Sequence, residues 1–180
     1  MYEDILQLLT EKEVLIEPGL TAEEFDIIEK IYNIHFPESL KGFLMQGLPI
    51  SKGFYNWRDF SSGNVSKIKK AITCPVEMVY ELSDEVYWCE QWGKEPDNVD
   101  EFVQEVRKRL EEAPKLIPVY GHRYMPMDGS NPPILSVHGI DIIYYGQDLR
   151  DYFKVEFGSK KQSEIDFEGI SNIPFWSEIM

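Results

Sequence analysis

As far as Ala113, apolar residues recur mainly at helical spacing; from Lys115 they switch to short alternating runs. In TAEEFDIIEKIYN, Phe25, Ile28, Ile31 and Tyr32 fall on one face while Glu23, Asp26, Glu29 and Lys30 point elsewhere, a pattern that predicts an amphipathic helix. Thr21 stands three residues before Glu24. At that spacing each side chain satisfies the other's free backbone donor, so the helix should begin there. Asn33 suits a left-handed stop. HFPESLKGFLMQG restarts a helix with Pro37 at the first helical position, Leu40, Phe43 and Leu44 inward, and Gly47 as terminator. GLPISKGFYNWRDF, aromatic and punctuated by glycine, reads as an irregular segment or a short pair of strands.

Asn64 is placed to cap VSKIKKAI, where Val65, Ile68 and Ile72 share a face, and Pro75 should end that helix by forcing the preceding residue out of the helical region. Between Pro75 and Trp92 two patterns compete: Val76, Val79 and Tyr80 fit a helix, while EVYWCEQWG fits a strand edge or a further helical turn. Asn98 and Glu101 open a better-defined helix lined by Val99, Phe102, Val103, Val106 and Leu110 and stopped by Pro114. LIPVYG, RYMPM, PILSVHG and DIIYYG are then short β-rich runs separated by turn residues, the mark of consecutive antiparallel strands. DLRDYFKVEF returns to helix, with Asp148 as cap and Leu149, Tyr152 and Phe153 inward. The tail, with Ile173, Phe175, Trp176 and Ile179, is too apolar to stay free and should dock on the domain or on a partner. Helices mainly first and strands mainly second predict an α+β fold. The expectation is a single domain over 1–180, a central, mainly antiparallel β-sheet packed by helices, with 156–180 as its docked tail.

Charge narrows the partners. The chain carries 32 acids against 18 bases, a formal net charge of −14, and binding to nucleic acid requires the opposite balance. The excess either serves solubility alone or complements a basic partner. No run of about 18 apolar residues free of charge occurs, and MYEDILQLLTEKE has neither a basic leader nor a continuous apolar stretch. Cys74 and Cys89 are the only cysteines and form no C-x-x-C pair. A cytoplasmic protein with free thiols, making no membrane contact, is expected.

Candidate chemistry is sparse. His122 and His138 fall on neighbouring predicted strands, near enough to consider a metal, but no H-x-x-x-H spacing or cysteine cluster supports one. There is no G-x-S-x-G elbow, no G-x-G-x-x-G and no phosphate-binding loop of the Walker type. Pairs such as Asp84 with Glu85 follow from the acidic composition. Asp128-Gly129 suits a tight turn between strands. No cofactor and no metal are therefore expected. As anchors for a protein partner, Tyr55, Trp57, Trp88 and Trp92 stand out, as do Arg58, His122, Arg123, Asp128 and His138. Each has a plainer role open to it: the aromatic residues in the core, the arginines in ion pairs, Asp128 in its turn, the histidines as structural or surface residues.

Taken in order, these stretches resemble the SUKH (SMI1/KNR4) superfamily. TAEEFDIIEKIYNIHFPESLKGFLMQG is similar to its opening signature through Glu29, Phe36-Pro37, Leu40, Phe43-Leu44 and Gly47. LIPVYG, then PILSVHGIDIIYYG and DLRDYF, resemble its later strand, hairpin and closing segment, so the likeness spans about 20–155. Gly47-Leu48-Pro49 stands where the family often has Asn-Gly-Gly. The resemblance implies an α+β protein-binding module without a catalytic set. In bacteria it implies immunity against toxins, many of them nucleases, and in fungi regulation of cell-wall synthesis. The leading expectation is a non-enzymatic immunity protein that occludes a cationic toxin domain. A small-ligand binder or enzyme using His122, Arg123, Asp128 and His138, and a scaffold that forms a homodimer through its tail, are the alternatives.

Overall fold

The computed structural model describes residues 2–180, which form an α+β fold of six helices, a four-stranded antiparallel sheet and a two-stranded one. Helix α1 (Glu3–Glu11) buries Ile5 and Leu9 and adds an element to those predicted. Helix α2 (Ala22–Tyr32) begins at the expected reciprocal cap: the Glu24 N–H donates to Thr21 Oγ1 at 3.2 Å and the Thr21 N–H donates to Glu24 Oε2 at 2.8 Å. Asn33 ends it at φ 52°. Helix α3 (Glu38–Leu44) starts one residue after Pro37, which acts as cap, and stops before Gly47. Of the glycine-punctuated segment, only β2 (Leu48–Pro49) is regular, paired with β1 (Ile16–Glu17).

Helix α4 (Ser62–Glu81) corrects two expectations. Ser61 caps it, while the Asn64 amide donates to the carbonyls of Asn56 and Asp59, and the helix runs through Pro75 without ending. A proline inside a helix lacks the N–H for the preceding turn and costs about 3 kcal/mol. Burial on both sides offsets that cost: Ile68 and Val79 are fully buried in two different apolar clusters, and each contributes about 1.5–3 kcal/mol. Helix α5 (Val99–Glu112) is capped by Asn98 Oδ1, which accepts from the Asp100 and Glu101 N–H groups, and buries Phe102, Val106 and Leu110. Val99, expected on that face, is 67% exposed.

Strands β3 (Leu116–Tyr120), β4 (Arg123–Pro126), β5 (Ile134–His138) and β6 (Asp141–Gly146) pair in sequence order as an antiparallel meander. Successive side chains on a strand point to opposite faces, and here both faces are covered. Ile117, Val119, Met125 and Ile134 join a core with α1, α2, α3 and the start of α4; Leu116, Tyr124, Leu135, Val137 and Ile142 join a second core with the end of α4 and with α5. Helix α6 (Leu149–Glu156), capped by Asp148, turns back onto the first core. Gly146 permits that return, because a Cβ there would lie 2.5 Å from the Tyr152 Cβ.

The tail closes the second core of its own chain. Trp176 is fully buried and its indole N–H donates to the Pro114 carbonyl at 2.8 Å. Ile173, Phe175 and Ile179 are buried beside it, and Glu178 accepts from the Trp92 indole at 2.7 Å. Among the described residues no helix is long and apolar enough to cross a membrane.

Candidate functional site

The aromatic segment 55–58 serves the core. Tyr55 and Trp57 are buried, the latter edge-on to Tyr32 and Phe36 with ring centres 5.6 and 5.1 Å away. The Tyr55 hydroxyl donates to the Gly121 carbonyl at 2.6 Å, and burial pushes its pKa up to about 12. Arg58 is committed within the chain: its guanidinium donates to both Glu24 carboxylate oxygens, to Glu17 and to the carbonyls of Pro18 and Gly19. These three candidates for partner contact are thus occupied in holding the first core, since buried rings and a saturated guanidinium have little left to offer a partner.

Trp88 is also buried, its indole N–H held by the Gly93 carbonyl at 2.9 Å and its ring 5.2 Å from both Trp92 and Phe102. Trp92 is half-buried, stacked on Phe175 and covered by the Arg109 guanidinium. This pair closes the second core and contributes at most one edge to the surface.

The sheet register brings His122, Arg123 and His138 together. Arg123 pairs with Ser136 across β4 and β5, and the Val137 N–H donates to the His122 carbonyl. The two exposed imidazoles therefore meet edge to face, with ring centres 6.1 Å apart. Partial desolvation where the ring packs beside Arg123, and then the charges of Arg123 and His138, hold the His122 imidazole below its usual value, with Glu156 opposing. Arg123 touches His122 Nε2, donates to Glu156 and Ser136 at 3.0 Å each, and lies 3.8 Å over the Tyr145 ring. It therefore ties α6 to the sheet. Asp128 does not join them: it lies beyond the opposite end of β4, 3.8 Å from the exposed His35. There it lines an open cleft of about 480 Å3 between the 128–133 loop and residues 169–174. Among the described residues, no three His, Cys, Asp or Glu side chains converge as a metal site would require.

A further surface adjoins Trp88 and otherwise involves residues of no recognisable motif. An open cleft of about 530 Å3 is framed by Val86, Tyr87, Trp88, Glu90, Gly93 and Glu95. Tyr87 is 64% exposed. Charge density is the signal in the sequence that marks this region: residues 76–106 hold ten acids and one lysine, whereas 61–75 hold three lysines and no acid. Comparison with protein-family models, with curated proteins and with solved structures finds no match to this chain.

Proposed function

We propose that this chain is a non-enzymatic protein-binding module of the SUKH type that neutralises a basic toxin domain by covering it. The uneven placement of acid carries the reading. Of the ten acids in 76–106, only Asp97 and Glu105 have an ion-pair partner among the described residues, and the other eight face water uncompensated. Such a field draws in a cationic surface and raises the rate of encounter. The ordered motifs over 20–155, set on an α+β fold, support the same reading, and inhibition by occlusion requires no chemistry from the inhibitor. The test is co-expression with a candidate basic toxin domain, such as any encoded beside this chain, followed by co-purification, toxin inhibition at equimolar ratio, and association kinetics. The association rate should fall about tenfold between low and high salt. A toxin left active, or bound equally fast at both salt concentrations, defeats the proposal. Regulation of cell-wall synthesis would use the same module, and the identity of the co-purifying chain separates the two roles.

The meeting of His122 and His138 favours a second reading, a small-ligand site at the β4–β5 end. It requires saturable binding of a small anionic or polar ligand that His122→Ala and His138→Ala each abolish.

A further inference from the structure

We infer that the cleft at Tyr87, Trp88, Glu90 and Glu95 receives an arginine or lysine side chain of a basic protein partner, an inference that rests on the reading of the chain as a binder of cationic proteins. Several independent features converge there. Tyr87 is one of the most exposed large apolar residues of the chain, and among the described residues its ring packs against no other. Trp88 lines the cleft beside it, held by the indole bond to Gly93 and by packing on Phe102. Glu90 and Glu95 frame the opening, and neither has an ion-pair partner among the described residues. A cation entering would thus meet an aromatic face and two carboxylates at once, the setting in which guanidinium and ammonium groups bind best.

The surroundings extend this surface. Glu77, Glu81, Asp84 and Glu85 lie on or just beyond the second half of α4, which packs against α5, and Asp100 and Glu101 stand at the α5 start. Among them Val76, Tyr80 and Val99 are exposed at 40–67%, so the region combines apolar area with an acidic rim, as protein interfaces do. Its charge sign selects the occupant. A phosphate backbone would be repelled. A second copy meeting this face by a two-fold axis would set acid against acid.

The experiment uses the full chain, 15N-labelled, titrated with hexa-arginine and hexa-lysine peptides and followed by amide chemical shifts. Shifts should centre on 86–95. Glu90→Lys with Glu95→Lys should weaken binding about tenfold, whereas the equal charge change Glu23→Lys with Asp26→Lys on α2 should weaken it less than about twofold. Tyr87→Ala should reduce affinity for the arginine peptide more than for the lysine peptide, because the planar guanidinium stacks on the ring. Glu90→Gln with Glu95→Gln repeats the test if the reversal disturbs folding. Shifts spread over the whole acidic surface, an equal loss in the α2 variant, or self-association abolished by the reversal would each overturn the inference. Failure here differs from failure of the toxin reading. A toxin captured undiminished by the cleft variants sinks the cleft alone; peptide binding at the cleft without any toxin inhibited sinks the toxin role alone.

Discussion

The two faces of the sheet are closed by different means. On the first face, capped helices lay regular apolar stripes against β3–β5, and Phe25, Phe36, Trp57 and Tyr32 interlock edge to face with ring centres 5.1–5.6 Å apart. On the second, α5 and the end of α4 cover part of the sheet, and segments without a regular period seal the rest. Trp88 and Trp92 come from one such segment and Phe175 and Trp176 from another, with Trp92 and Trp176 each pinned by a side chain or carbonyl remote in sequence. Helix stripes carry most of the first face, where Tyr55 and Arg58 add long-range bonds, whereas irregular segments and the bonds of Trp92 and Trp176 carry more of the second. The uncompensated acids of 76–106 also cluster around the second face.

The sharpest way to break this contrast is Trp176→Ala. It empties a fully buried indole site and frees the Pro114 carbonyl, and a loss of about 3–5 kcal/mol in urea unfolding is expected. If both faces belong to one cooperative unit, the whole transition moves; a separate early transition would show that the second face melts by itself. The equivalent test of the first face, Arg58→Leu, should cost less, about 1–3 kcal/mol, because its hydrogen bonds are partly exposed. The same variant has a pH signature. Arg58 holds the Glu24 carboxyl below its usual value, so the stability gained from Glu24 is present above the ordinary carboxylate range and is lost as pH falls through the lower folded value. Acid unfolding curves of the variant should lack that component. The smallest effect belongs to the strand end between the faces. His122 should titrate below the usual 6.5, so its contribution is present above that value and is lost as pH falls through the lower folded one. His138→Ala, by removing one positive neighbour, should raise the His122 midpoint slightly in an NMR titration.

The elements legible in the sequence are those whose cause is local. Thr21 with Glu24, Asn98 and Asp148 announce their helices because a cap acts within three residues. The meander is legible because period 2 and turn residues are short-range. Pro75 misleads for the converse reason: the local rule says stop, and burial of Ile68 and Val79 in separate cores overrides it. Tyr55 and Trp57 mislead because an aromatic residue in an irregular segment looks the same in sequence whether it faces a partner or a core. The nearness of His122 and His138 was legible through strand order, whereas the isolation of Asp128 depended on which end of β4 it follows. Tyr87 and Glu95 belong to no motif, and only the density of charge around them points to their surface.

Helix α4 links the two faces, and its own charges oppose its formation. Lys67, Lys69 and Lys70 occupy its first half and Glu77 and Glu81 its second, against the direction of the helix dipole. The cation at its C-terminal end is lent by α5: Arg107 donates to the Tyr80 carbonyl and lies over the Tyr80 ring. The second half of α4 therefore lacks the means to complete itself. Its expected place in the order of assembly is late, after the first half has settled on the early helices and once α5 has arrived to finish it.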